Sequence, residues 1–322
     1  MTVTVVLAGD TMLGRGVAEA LEHVEPASLV SPRLADLTRA ADLFVLNLEC
    51  CVSERGSRWA NPDKAFFFRA PPVAVRLLTH LGVSCVTLAN NHALDFGEEA
   101  LLETVGRLQA AGIATVGAGA DIEAARAPAV LEADGFRLGV YGVTDHPAEY
   151  AASSSRGGVA YEDLERGVPD WLLDGIRSIR AEAVLVTPHW GPNMTTAPVP
   201  YVRVAADELV GAGATIVAGH SAHVFHGVRG RILYDLGDFL DDYATDPLLR
   251  NDLGLLFFVT LDHSVPPRVE AVPIKVGYCA TDLAVGEEAS WIADRFRSSC
   301  RAFDTHVRVN DEGWLEVESG RP

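Results

Sequence analysis

No stretch of this 322-residue chain supplies the roughly 18 to 20 consecutive apolar residues that a bilayer span needs, which argues against a helical membrane anchor within it. The start lacks a basic leader and a small-residue cleavage motif. Met1 runs straight into Thr2-Val3-Thr4-Val5-Val6-Leu7-Ala8, an alternating and then continuous apolar segment that reads as a first core strand. A soluble, cytoplasmic protein is expected. Cysteine is scarce, with five residues (Cys50, Cys51, Cys85, Cys279 and Cys300) and no paired CxxC spacing, the pattern of reduced thiols rather than of a disulfide framework. Cys50 and Cys51 follow Glu49 directly and read as core thiols or neighbours of a site, with a redox or metal role as the alternative. Basic residues are also few: 26 Lys and Arg face 44 Asp and Glu, a net charge of −18. That field repels nucleic-acid backbones and anionic lipid surfaces, so neither is an expected partner. An anionic substrate then requires a bound cation or a local Arg cluster to invert the field.

What the chain does have is apolar bulk, 48% of its residues, enough for a substantial core. Short Val, Ile and Leu runs alternate with amphipathic stretches through the first 220 or so residues, the pattern of an α/β fold. The runs predict strands over 2–9, 43–48, 83–89, 114–117, 129–132, 137–143, 183–187 and 215–218. Helices are predicted over 71–81, opened by Pro71, and over 98–111, where Leu101, Leu102, Val105 and Leu108 share a face. After Gly219, shorter runs at 223–228, 231–236, 254–261 and 269–273 predict a mostly antiparallel second sheet. A final helix is expected over about 287–303, with Trp291, Ile292, Phe296 and Cys300 at helical spacing. No linker-like composition shift and no internal repeat interrupts the chain, so one domain over 1–322 is expected, the final helix packed on it.

The chemistry gathers at strand ends. Asp10, Glu49, Asn90-Asn91-His92, His189 and His220 each follow a predicted core strand, and the carboxyl ends of neighbouring strands in α/β sheets converge on one crevice. Taken singly, each has an ordinary structural reading: a helix cap, a turn element, or a hydrogen-bonded pair in the case of His92 and Asp95. His226 reads as a structural histidine. Taken together, carboxylates, an amide carbonyl and imidazoles suit one or two divalent ions of the Mn, Fe, Zn or Mg type. Such ions lower the pKa of bound water from about 15.7 toward ~7 and polarise the oxygen under attack. Thr144-Asp145-His146 also follows a strand, within reach of the crevice or turned away from it. The cluster at Asp238, Asp241, Asp242 and Tyr243 reads either as a solvated acidic loop or as a binder of cationic or amine-bearing substrates and a source of a general base.

The motifs Gly9-Asp10-Thr11-Met12-Leu13-Gly14-Arg15, Asn47-Leu48-Glu49, Phe68-Arg69-Ala70-Pro71, Leu88-Ala89-Asn90-Asn91-His92-Ala93-Leu94-Asp95-Phe96-Gly97, His189-Trp190-Gly191, Gly219-His220-Ser221-Ala222-His223 and Leu236-Gly237-Asp238-Phe239 occur in order. Together they resemble the CapA family of bacterial capsule or poly-γ-glutamate synthesis proteins, related to calcineurin-like metallophosphoesterases. The resemblance implies a four-layer α/β/β/α sandwich with a metal site at strand ends between two sheets. It implies Asp10, Glu49, Asn91, His189, His220 and His223 as metal ligands, and His92 with Asp95 as the catalytic pair that donates a proton or stabilises charge. Arg15 and Arg69 become anion clamps or, alternatively, internal salt-bridge partners; Trp190, Asp241 and Asp242 become substrate contacts.

Three departures accompany it. Asp10 lacks the Asp-x-His continuation of ordinary metallophosphoesterases, the closing histidines stand three apart as His220 and His223, and the membrane anchor that many members carry is not expected here. The expected function is metal-dependent hydrolysis of a phosphoester or amide bond, γ-glutamyl among them, on a small-molecule or peptide-like substrate carrying carboxylate or phosphate. The alternatives are transfer or an accessory role in assembling such a polymer or a specialised metabolite, and a non-catalytic binding module.

Overall fold

The computed structural model describes residues 2–263 and 265–318. Its organising element is the strand Thr2–Thr11, buried along nearly its whole length because both edges are occupied. Leu43–Leu48 pairs with it in parallel and Leu253–Asp262 antiparallel. The sheet continues through parallel Cys85–Thr87 and Ala114–Val116 on one side, and through antiparallel Arg268–Gly277, Leu315–Glu318 and His306–Val309 on the other. In a second sheet, Phe136–Thr144, Ala183–His189 and Ile216–Ala218 run parallel, flanked by Ala129–Ala133 and by the short pair Ile232–Leu233 and Val228–Arg229.

Side-chain alternation along each strand explains how the sheets are covered. Val3, Val5 and Leu7 of the first strand share an apolar cluster with Leu138, Val140, Leu185 and Ile216 of the second sheet, which joins the two inner faces. The intervening Val6 and Ala8 point the other way, to a cluster with Val17, Leu34, Leu77 and Leu101 on the helices Arg15–His23, Pro32–Arg39, Ala74–His80 and Gly97–Ala110. On the second sheet, Val143, Val184, Val186 and Val217 meet Leu172, Ile176, Val202 and Leu209 from the helices Asp170–Ser178 and Pro200–Ala212. Each such fully buried Leu or Ile contributes about 1.5–3 kcal/mol of hydrophobic stabilisation before entropy is counted.

The segments after Gly219 depart from expectation. They form no sheet of their own: Leu253–Asp262 and Arg268–Gly277 extend the first sheet, while Val228–Arg229 and Ile232–Leu233 extend the second. Leu253–Asp262 is buried on both faces, with Leu255, Phe257 and Val259 toward the second sheet and Leu256 and Phe258 toward the helices, so it fits beside a central strand. Residues 223–227, expected as strand, are irregular, because side-chain carboxylates rather than a neighbouring strand take the backbone N–H groups of residues 221 and 222. The final helix is present as Glu287–Arg301, and Ile292, Phe296 and Cys300 enter the cluster between the sheets. Among the described residues no helix is long and apolar enough to cross a membrane.

Candidate metal centre

Every strand-end residue singled out from the sequence lies at the carboxyl end of a parallel strand. Asp10 sits where the register of the first strand shifts, next to Asn47 on one side and Asp238 on the other. The shift depends on Gly9, since a Cβ there would lie 1.8 Å from the Gly237 carbonyl oxygen. Glu49 follows Leu43–Leu48, His189 ends its strand, and His189 bridges in parallel to His220. The turn after His220 is strained: Ser221 has φ 110° and His223 φ 58°, conformations that bulky residues rarely adopt. Three contacts hold it, Ser221 N–H donating to Asp10 Oδ2 (3.3 Å), Ala222 N–H to Asp235 Oδ2 (2.8 Å) and Ser221 Oγ to the Gly191 carbonyl (2.9 Å).

This backbone brings Asp10, Glu49 and His189 together so that one ligand atom of each lies within 4.8 Å of the others, and Asp10, His223 and Asp238 in the same way. Asp10 belongs to both sets. Asn47 Nδ2 donates to Asp10 Oδ1 (2.7 Å), and Asn90 Nδ2 donates in turn to Asn47 Oδ1 (2.8 Å), fixing the shared carboxylate by an amide relay. His220 Nε2 is hydrogen-bonded with Thr187 Oγ1 (2.9 Å), which leaves its Nδ1 3.3 Å from Asp10 Oδ1. Glu49 Oε1, Asn91 Oδ1, His189 Nε2, His220 Nδ1 and Asp238 Oδ2 are buried without a hydrogen-bond partner among the described residues. Unpaired buried polar atoms are costly, and those of Glu49, His189, His220 and Asp238 gather around Asp10 as a donor set suited to a divalent cation.

The electrostatics agree with that fit. Burial and the neighbouring Asp10 push the Glu49 carboxyl well above the usual range, and burial together with Asp241 and Asp10 does the same to Asp238. Burial also raises Asp241, to about 6. Asp10 moves the opposite way: burial opposes its charge, but the close approach of His220, with the charges of His223 and His189, outweighs burial and holds it well below the carboxylate range. His189 is held well below its ordinary value by burial, whereas for His223 the charges of Glu49 and Asp10 outweigh burial and raise it. The pocket thus concentrates more carboxylate than its imidazoles neutralise, and a bound cation would balance it.

Around this centre the other expected residues divide. His92 stacks on Phe68 (ring centroids 3.9 Å) and pairs through Nδ1 with Asp95 Oδ2 at 2.7 Å. Asp95 is wholly buried and also receives Phe68 N–H (2.6 Å), the Tyr150 hydroxyl (3.2 Å) and Lys64 Nζ (2.9 Å). Lys64 further donates to the Asn91 carbonyl at 2.9 Å. Burial lowers His92 to about 4, so its ring rests neutral. Asp241 Oδ1 accepts the Tyr243 N–H (2.8 Å) while Oδ2 is unpartnered among the described residues.

Asp242 is not free to meet a cationic substrate: it pairs with Arg15 through Nε (3.0 Å) and Nη2 and accepts Gly16 N–H. Arg15 in turn lies over the rings of Phe66, Phe68 and Tyr243, and Arg69 over Phe96 at 4.1 Å. Trp190 contradicts its expected substrate role. It is 2% exposed within the cluster beneath the second sheet, its indole N–H donating to the Tyr234 carbonyl at 3.0 Å. His226 is structural, bonded through Nε2 to the Thr195 carbonyl (2.8 Å).

Three contributors take places that the sequence does not assign them. Asp238 reads there as part of an acidic loop, although its strand pairs beside Asp10. Asn47 stands two residues before Glu49, the spacing that puts both on one face of a strand. Tyr243 reaches Glu49 Oε2 at 3.4 Å.

Comparison with known proteins places the chain among relatives. The family described as bacterial capsule synthesis protein PGA_cap matches residues 4–243. A probable polyglutamine synthesis accessory protein of Mycobacterium tuberculosis is 30% identical, over 98% of this chain and 96% of its own. The PGA biosynthesis protein CapA of Bacillus subtilis is 28% identical over 73% of this chain and 62% of its own. Among solved structures, a hypothetical protein from Thermus thermophilus aligns with a TM-score of 0.50 at 15% identity, covering 85% of this chain and 100% of that one, a likeness of fold alone.

Proposed function

The chain belongs to the family of bacterial capsule synthesis proteins, and on that premise we propose that it is a metal-dependent hydrolase cleaving a γ-glutamyl amide or a phosphoester bond with activated water. The observation carrying this reading is Asp10, shared by two sets of ligand atoms and fixed by Asn47. Asp10, Glu49, Asn91, His189, His220 and His223 would hold one or two divalent ions, Mn, Fe, Zn or Mg. Such ions supply water of lowered pKa and polarise the bond under attack.

The remaining steps fall to side chains. With Nδ1–H committed to Asp95, His92 exchanges protons through Nε2 alone. Resting neutral, it takes a proton from the attacking water and delivers it to the departing nitrogen or oxygen. For an amide, the water oxygen joins the carbonyl carbon, the C–N bond breaks, and a carboxylate and an amine leave. Arg15, paired with Asp242 through Nε and Nη2 and one-third exposed, would offer a substrate carboxylate its remaining guanidinium nitrogen.

The facing sheets with helices outside support the four-layer sandwich that the motifs imply, and the reading treats residues 1–322 as one working unit. Five buried free cysteines suit a reducing cytoplasm. The relatives named for polyglutamine and PGA synthesis favour the γ-glutamyl amide, and their naming also motivates a second reading in which an amine replaces water as acceptor.

The test is metal-stripped protein reloaded separately with Mn, Fe, Zn or Mg and assayed on γ-glutamyl-p-nitroanilide and bis(p-nitrophenyl) phosphate. Turnover of one probe is expected, lost in Asp10→Asn and His189→Ala together with bound metal. Unchanged metal content and activity in both variants would overturn the reading, and product formed only with added amine would select the second.

A further inference from the structure

Next to His189 lies a second imidazole and carboxylate pair that no role above uses. His146 Nδ1 is bonded to Asp145 Oδ1, and its ring centroid lies 5.1 Å from that of His189. The other carboxylate oxygen, Asp145 Oδ2, accepts the Tyr201 hydroxyl at 2.7 Å and Gly191 N–H at 3.0 Å. The backbone is pinned as well: Thr144 Oγ1 donates to the His146 carbonyl (2.7 Å), and Asp145 N–H donates to the His189 carbonyl (3.2 Å). His146 is nonetheless 32% exposed, against 7% for Asp145. An imidazole held by a buried carboxylate, itself held by two further donors, is more tightly ordered than surface histidines require, and its ring lies beside that of a candidate metal ligand.

Nδ1 faces a carboxylate oxygen, so Asp145 selects the Nδ1–H tautomer of the ring, in which Nε2 carries a lone pair. Nε2 has no partner among the described residues. We propose that His146 is a substrate-contacting residue whose Nε2 accepts a hydrogen bond from a donor on the substrate, the N–H of an amide, with Asp145 and Tyr201 as positioning residues. This rests on the hydrolase reading and deepens it: a phosphodiester offers no such donor, so His146 favours amides. A site built around a particular hydrogen bond discriminates strongly against analogues that lack the matching group.

The experiment uses the full chain loaded with Mn and compares kcat/KM for γ-glutamyl-p-nitroanilide with that for bis(p-nitrophenyl) phosphate. In His146→Ala the ratio of the two should fall about 30-fold, the loss of one well-placed hydrogen bond. His146→Gln, whose side-chain oxygen can accept, should recover most of it, and Tyr201→Phe should lower it severalfold. Bound Mn and thermal midpoint, measured alongside, report on folding. An unchanged ratio, or equal recovery by His146→Leu, overturns the proposal.

Turnover of neither probe by the wild-type protein sinks the hydrolase reading by itself; wherever the two rates cannot both be measured, calorimetric binding of γ-glutamylglutamate decides the role of His146. Affinity at least tenfold weaker in His146→Ala supports it. Equal affinity, or no binding by the wild type, overturns it.

Discussion

Asp10 and Asp238 stand opposite one another in adjoining parallel strands, though most of the chain lies between them. Both are buried, and His223 Nδ1 lies between them, 3.3 Å from Asp10 Oδ2 and 2.9 Å from Asp238 Oδ1. Asp238→Asn and Glu49→Gln are therefore each expected to weaken Mn binding at least tenfold, as read by calorimetric titration of stripped protein. Wild-type stoichiometry and affinity in both variants would remove these residues from the ligand set.

Asn47 touches no expected substrate, yet its amide serves Asp10 and Asn90 at once. Asn47→Leu takes one hydrogen bond from each of two buried partners, and urea denaturation should register a loss of about 2–3 kcal/mol. Metal affinity should fall with it. A variant as stable as the wild type would show that the relay does not constrain the carboxylate.

Trp190 provides the opposite contrast. Trp190→Phe keeps the ring in its apolar cluster but loses the hydrogen bond to the Tyr234 carbonyl, at a cost of about 1–2 kcal/mol. Metal stoichiometry and kcat/KM should not change. A selective rise in KM at unchanged stability would return Trp190 to the substrate pocket.

Glu103 gives a pH signature remote from the metal centre. Its carboxylate accepts from Ser53 Oγ, Arg107 and Glu54 N–H, and these, with Ser53 first, outweigh burial and hold it at about 2 against an ordinary 4.5. A lowered carboxyl stabilises the fold above the unfolded value and loses that contribution as pH falls toward the folded one. The thermal midpoint of Glu103→Gln should thus lie below that of the wild type at pH 7, with the gap closing between about pH 4.5 and 2. A gap that stays constant across that range would exclude ionisation as its source.

Much of the frame is legible in the sequence because it depends on local pattern. Continuous apolar runs such as Leu43–Leu48 mark buried parallel strands, and a polar residue following one falls at the sheet's carboxyl edge, so Asp10, Glu49, His189 and His220 group together without coordinates. Asp238 is harder to place, because its role depends on pairing with a strand at the far end of the sequence, which no local window contains. The segment after His220 carries strand-like apolar residues, Val224 and Phe225, and reads as a ladder element. Asp10 and Asp235 capture its first N–H groups and bend it instead. Trp190 misleads for a related reason: a motif records neighbours in sequence, whereas the face a side chain presents is decided by the twist of the strand end and by Gly219, where a Cβ would lie 2.4 Å from the indole nitrogen.

The two ligand sets each draw on opposite halves of the molecule. Asp10, Glu49 and Asp238 belong to the first sheet, while His189 and the turn carrying His220 and His223 belong to the second. A cation held there acts as a rivet through the seam between the halves, so chelation should be felt as lost cohesion across the whole body and not only as lost chemistry. The strained turn at Ser221 and His223 works at the same seam as a latch, its Ser221 N–H reaching across to Asp10.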